Sequence, residues 1–204
     1  TLCLQASDRA YRYAENYLAD VSDRQYFFAA AELYRATGGY QYHSVVKSYL
    51  TQNTEPDLDD DYVFWGCVTY LSTKQKVDMN LCEAVTENLM RKGETISYAS
   101  KDSKLLVNTD EKLGGNAGLL RDMSRLAVVD HIITNHEYAM VLENHAHYML
   151  GRNLQSISYL DGVGGRNYRD VDMSLGIMNQ VDQNAELLLL FAAIMDDEMV
   201  VGEE

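Results

Sequence analysis

One proline in 204 residues, Pro56, constrains this chain more than any other feature. Proline removes a backbone donor and clashes with the preceding turn, so it breaks helix interiors. With one exception, the chain is therefore free to run as helix. Apolar residues recur at the three-to-four spacing of a single buried stripe in one segment after another. In Leu2 to Leu18 the stripe is Leu4, Ala10, Tyr11, Ala14, Tyr17 and Leu18.

The spacing predicts eight helices in antiparallel pairs and no strand. After the first, a helix runs from about Arg24 to Thr37, entered through Ser22 or Asp23 and stopped by Gly38 and Gly39. Glycine ends helices because it adopts left-handed geometry without a Cβ penalty. The third covers about Gln41 to Leu50, and the acidic stretch from Thr51 to Asp61, with Pro56, is a loop. Helices then fall at about Tyr62 to Ser72 and Asp78 to Lys92, the latter ending at Gly93. Periodicity is lost from Glu94 to Gly115, where a long loop is expected. Two more helices follow, near Asn116 to Thr134 and Glu137 to Leu150, and the second stops at Gly151. A glycine-rich stretch leads to the last helix, about Gln183 to Met195, which is apolar almost all round and so calls for burial on every side. No composition shift marks a boundary, so residues 1–204 are expected to form a single helical domain.

Composition narrows the classes of partner. The net charge of −14 repels phosphate backbones, which argues against nucleic acid. A neutral polysaccharide is unaffected by that charge. The longest apolar run, Leu187 to Met195, is about half of the roughly 18 residues a membrane span needs, so no membrane role is expected. Thr1 opens directly in helical pattern without the marks of a signal peptide. Cys3, Cys67 and Cys82 have neither CxxC nor zinc spacing and read as buried thiols.

Three segments together resemble family 9 glycoside hydrolases, the cellulases and endoglucanases of the helical-toroid type. Phe27 to Gly38 is similar to that family's "AAAELYRATGD" helix. Trp65-Gly66-Cys67-Val68 resembles a Trp-centred helix start whose usual form has Asp where Cys67 stands. Tyr148-Met149-Leu150-Gly151-Arg152-Asn153, with Ser158 to Gly164 after it, is similar to the "YLLGRN…SYVTGxG" helix and loop, the most specific of the three. Gly114 to Ala117 and Asn184 to Ile194 are fainter echoes of a "WGSN" turn and a closing "NAPLVFLLA" helix. The matches keep the family's order over nearly the whole chain, and a catalytic module of this family is about twice as long. The resemblance implies an all-α fold, with these helices forming part of an (α/α)6 toroid and corresponding to the module's later half.

It also implies chemistry. Inverting glycosidases use two carboxyl groups on opposite faces of the sugar ring, one as acid and one as base. The family's base lies in a "DAGD" motif that has no counterpart in these 204 residues. Its acid is a Glu in an "NEVAxNxNA" segment, matched here by Asn179 to Glu186 but two residues shorter. Aligned one way the acid position holds Gln180, and aligned the other way Met178; Asp182 and Glu186 lie nearby as the remaining carboxylates. The family's "HHRPS"-like substrate segment has no His here, which leaves Arg166 or Arg169 as the candidate sugar contact. Trp65, the sole tryptophan, is either a sugar-stacking platform or a core anchor at a helix start. Tyr159 joins Trp65 and Arg169 as a candidate substrate residue.

Metal and cofactor sites are not expected. His145 and His147 sit two apart on a helix, about 200° around its axis, so they cannot share an ion. Asp57, Asp59, Asp60 and Asp61 lack the glycine and spacing of a calcium loop. The functional expectation is therefore a fragment or degenerate form of a β-1,4-glucan hydrolase, extracellular in its parent and inactive as an isolated chain. The alternative is a non-catalytic helical carbohydrate-binding or assembly module. Expected partners are β-1,4-glucan or cello-oligosaccharide, and either a second copy of the chain or the missing half of the module.

Overall fold

The computed structural model describes residues 2–101, 103–108, 115–133, 138–171 and 181–201, and in α8 the side chains of Asp182 and of 196–201 are not among those described. The regular structure of these residues is helical: α1 Leu2–Tyr17, α2 Asp23–Thr37, α3 Tyr40–Gln52, α4 Asp61–Ser72, α5 Met79–Lys101, α6 Asn116–Ile133, α7 Ala139–Met149 and α8 Val181–Val201. A short 3-10 turn at Tyr168–Asp170 and one isolated bridge, Ser158 with Asn167, complete it among the described residues. The chain divides into two compact units, Thr1–Leu89 and Met90–Glu204, and the division falls inside α5.

In the first unit, α2 packs on α3 and α4 around an aromatic core. The Gln25 side chain accepts from the Ser22 N–H at 3.0 Å, which satisfies a donor at the start of α2. Gly38 ends it at φ +68°, its N–H donating to the Tyr34 carbonyl at 2.8 Å, as the sequence predicts. Phe27 is fully buried and stacks on Tyr49 with ring centroids 4.3 Å apart. Gly66 is small for a physical reason: a Cβ there would sit 2.3 Å from the Phe27 ring. Asp60 caps α4 by accepting from the Val63 N–H at 3.1 Å, and Arg24 pairs with the same carboxylate at 2.6 Å.

In the second unit, α6 packs on α7 and α8. Here the structure corrects the expected ends of α5 and α8 and the expected burial of α8. Helix α5 does not stop at Gly93 but continues to Lys101. Gly93 is buried within it, and a Cβ would meet Val129 and the Tyr138 ring at 3.1 Å. The glycine serves close packing, not termination. Helix α8 likewise continues past Met195 to Val201. Its apolar surface is not covered on every side either: Leu190 is fully buried, whereas Leu188 and Met195 are exposed. In the first unit the expectation of buried thiols is corrected too, since Cys3 is exposed and Cys82 half-buried, with only Cys67 in the core.

Candidate functional site

The loop after α7 carries the most specific of the motifs, and the part next to the helix is held largely by one side chain. Asn153, buried, donates through Nδ2 to the carbonyls of Tyr148 at 2.9 Å and Ile157 at 2.8 Å. Its Oδ1 accepts from the N–H groups of Gln155 and Ile157 at 3.2 and 3.3 Å. The amide thus serves four backbone groups and ties the loop to the end of α7. Gly151, at φ +125°, lets the chain reverse there. The Tyr159 N–H then donates to the Met149 carbonyl at 2.9 Å, which draws the loop back along the helix end.

The distal part closes on itself. Ser158 receives the Tyr168 N–H on its carbonyl and donates its own N–H to the Arg166 carbonyl, both at 2.9 Å. Asn167 Nδ2 donates to the Leu160 carbonyl at 2.6 Å, and Asn167 caps the 3-10 turn by accepting from the Arg169 N–H at 3.2 Å. The tip, with Gly162 and Gly164 at positive φ, stands exposed.

Arg169 is an exposed, held cation. Its Nη2 pairs with Asp161 at 2.8 Å and its Nε donates to the Tyr168 hydroxyl at 3.3 Å. The Tyr168 hydroxyl and the Asp161 carboxylate raise its pKa further. A guanidinium fixed by two partners presents its fork in one orientation, which suits recognition of hydroxyls or carboxylates. Tyr159 is buried beside Tyr148, ring centroids 5.5 Å apart, and burial pushes its phenol up. Both carboxylates of the loop are engaged, Asp161 with Arg169 and Asp170 by the Asn167 N–H at 3.2 Å.

The remaining candidates stand on other elements. Gln180 and Met178 fall outside the described residues. Asp182 lies in the first turn of α8, and its side chain is not among those described; Glu186, one turn on, is half-buried and engaged by a neighbouring group. Trp65 belongs to the first unit. It is 38% exposed on α4, with its ring edge-on to Phe64 at 5.2 Å. Close by in the sequence, Cys67, where the related motif carries Asp, is completely buried, and burial pushes its thiol up to about 12. A carboxylate could occupy that position only with buried partners.

Two features of the second unit escape sequence reasoning. His145 is fully buried, its Nδ1 donating to the Val141 carbonyl at 2.7 Å and its Nε2 accepting the Asn108 N–H at 3.1 Å. That pairing fixes a neutral imidazole, and burial lowers its pKa to about 4. Its place on the helix stripe gives its burial, but nothing local predicts the distant Asn108. The second is Asn153, visible in the motif as a letter and not as a fourfold bracket.

Comparison with known proteins agrees with the motifs. The model for "Glycosyl hydrolase family 9" matches residues 1–184. The chain belongs to glycosyl hydrolase family 9. Among curated proteins, a cellodextrinase of Butyrivibrio fibrisolvens is 24% identical over 181 residues, covering 80% of this chain and 33% of that protein. Among solved structures, the family 9 endoglucanase J30 superposes with a TM-score of 0.67 at 19% identity, over 80% of this chain and 34% of that one. A Zn-binding triple mutant of the same endoglucanase gives the same values. The fold is thus shared with these enzymes, and the chain spans about a third of their length.

Proposed function

We propose that this chain is a fragment or degenerate form of a β-1,4-glucan hydrolase, and that alone it does not hydrolyse its substrate. Family membership over residues 1–184 supports the glucan-hydrolase class. The observation that carries the inactivity is the carboxylate inventory of the retained loop: Asp161 and Asp170 are both engaged in holding it. The "DAGD" base has no counterpart in these residues, and Gln180 or Met178 stands at the acid position. The parent enzyme inverts, is secreted, and acts on cellulose or cello-oligosaccharide; its helices close an (α/α)6 toroid of which this chain forms one domain's later half. Asp182 and Glu186 are the local carboxylates that a remodelled loop could recruit, and Arg169 and Tyr159 belong to the substrate side.

The test is reducing-sugar release from carboxymethylcellulose by pure protein. None is expected, and Gln180→Glu alone should not restore it. Release abolished by changing Asp182 or Glu186 would overturn the proposal.

A second reading, a non-catalytic carbohydrate-binding or assembly module, is favoured by the exposure of Trp65. Its assembly aspect is supported by an open, largely apolar cavity of about 970 Å3 along α1 and α2, lined by residues such as Leu4, Tyr11, Tyr17, Tyr26, Phe28 and Leu33. Open apolar surface of this kind usually marks an interface. A second copy, or the remainder of a module, is the proposed cover. Sedimentation equilibrium at micromolar concentration is expected to show association, and a clean 23.1 kDa species would remove this part of the reading.

A further inference from the structure

A second cavity, of about 640 Å3, lies in the first unit between α3 and the connection from α4 to α5. That volume is within the roughly 300–1,000 Å3 of small-molecule sites. Its lining is unlike the apolar groove along α1 and α2. His43, Ser44, Lys47, Ser48 and Gln52 present one polar stripe of α3, and Lys76 faces it from the connection. In a chain of net charge −14, the charged residues on this lining are both lysines.

The walls are held by specific bonds. The Tyr34 hydroxyl donates to the Lys76 carbonyl, and Gln75 Nε2 donates to the Arg35 carbonyl at 3.3 Å. Lys47 pairs with Asp78 at 2.7 Å, and Gln52 Nε2 donates to the Ser48 hydroxyl at 3.1 Å. The His43 ring is stacked on Tyr34, centroids 4.4 Å apart and nearly parallel at 5°. Its edge is held by the Tyr70 hydroxyl. The buried Tyr70 hydroxyl already accepts the Asp78 N–H at 2.9 Å, and His43 Nε2 lies 3.1 Å from it. The Tyr70 hydroxyl and His43 Nε2 thus share one hydrogen bond, which holds the imidazole edge in place. Burial, with help from Lys47, lowers the His43 pKa and keeps the ring neutral.

We propose that this pocket binds a small hydroxylated carboxylate of the uronic-acid class. Lys47 is largely balanced by Asp78, so the ammonium of Lys76 supplies about one net positive charge, enough for one carboxylate. The hydroxyls of Ser44 and Ser48 and the amide of Gln52 match the hydroxyls of a sugar ring, to which each is both donor and acceptor. The His43 ring adds a polar edge whose orientation is set by Tyr34 and Tyr70 before any ligand arrives. A neutral glucan has nothing to offer Lys76, so this pocket is separate from the proposed glucan site and does not rest on it.

The experiment is an imidazole NMR titration of the full chain, with His43 assigned among the five histidines by His43→Gln. Sodium glucuronate is expected to shift the His43 ring signals saturably and to raise its pKa, while glucose at equal concentration does neither. Lys76→Glu, at an exposed position, is expected to weaken glucuronate binding roughly tenfold or more through loss of a charge-assisted bond. It should leave the thermal transition unchanged. No His43 response to glucuronate, or equal responses to glucuronate and glucose, would overturn the proposal. Sulfate matching glucuronate in affinity would overturn the saccharide assignment, since the pocket would then read charge alone. Cellohexaose binding, followed separately through Trp65 fluorescence, reports on the glucan reading, so either proposal can fail without the other.

Discussion

The two units are built from different materials. In the first, the buried side chains are aromatic and aliphatic: Tyr11, Phe27, Tyr34, Tyr42, Phe64 and Tyr70 lie in its core, and Thr69 is the one further buried polar side chain among its described residues. The Thr69 hydroxyl donates to Glu32 at 2.7 Å. In the second, Asn108, Asp122, Ser124, Arg125, His145, Asn153 and Ser158 are all buried. An apolar core tolerates changes of pH and depends on shape, whereas a buried polar network depends on every member keeping its partner and protonation state. The contrast fits the placement of the motifs. A helix motif such as Phe27 to Gly38 needs only to pack, while the loop after α7 must hold an irregular backbone in one conformation.

The largest expected effect tests the packing side of that contrast. Phe27→Ala removes a fully buried ring that stacks on Tyr49 and against which Gly66 is shaped. A cost of about 3–5 kcal/mol is expected. It should appear in urea unfolding followed by amide exchange of α2 and α4. A loss below about 1 kcal/mol would mean that the aromatic core repacks freely and that shape is not what holds this unit.

The next effect tests the polar side. The folded pKa of His145, about 4, lies below its ordinary 6.5, because burial favours the neutral ring. The native state therefore binds fewer protons than the unfolded chain between these values. The stability of the second unit from this group is complete above about pH 6.5 and is lost as pH falls towards 4. Each tenfold difference in proton affinity between the two states is worth about 1.4 kcal/mol, so the loss amounts to roughly 3 kcal/mol. Stability measured from about pH 7 to 4 should show this slope, and His145→Gln should flatten it even though it lowers stability at neutral pH. An unchanged slope in the variant would assign the pH sensitivity to other groups. In the first unit His43 is shifted in the same direction by burial, but it is only half-buried, beside the open pocket and the Lys47–Asp78 pair.

The same contrast explains what is legible in the sequence. All eight helices can be read there, because near-absence of proline and a three-to-four apolar stripe are local signals. Gly38 is legible as a stop, and Gly93 only looks like one. Both are glycines after a periodic run, and only the Val129 and Tyr138 side chains, distant in sequence, make Gly93 a packing position. Helix α8 misleads for a related reason. An apolar pattern states what would gain from burial, and the exposure of Leu188 depends on neighbours the pattern does not contain. In the loop, the residues of Leu150 to Asn153 can be recognised by resemblance, but the four bonds of Asn153 cannot. They join atoms whose separation is fixed by φ at Gly151 and by the end of α7. Of the candidate acids, Gln180 lies outside the described residues, so its place rests on the sequence alone.

The smallest expected effect concerns Trp65, where packing and recognition meet in one side chain. An indole that only packs would be buried, and one that only binds would stand clear of the helix. Trp65 does neither, being 38% exposed with its edge against Phe64. Phe64 is itself completely buried, so it fixes the indole from below without competing for its exposed surface. Sugar stacking draws on the aromatic face, in contact with the axial hydrogens of a pyranose. Trp65→Ala is therefore expected to weaken cellohexaose binding by about 0.5–1.5 kcal/mol, roughly two- to twelvefold. Trp65→Phe should retain part of the affinity, because it keeps a smaller face at the same position. Titration followed by calorimetry distinguishes the cases, since it does not rely on the tryptophan signal that the substitutions remove. Equal affinity for all three proteins would make Trp65 a packing residue of the first unit and remove the main support for a carbohydrate-binding role there. Equal loss in the Ala and Phe variants would point instead to the indole N–H as the contact, since that donor is the feature both variants lack.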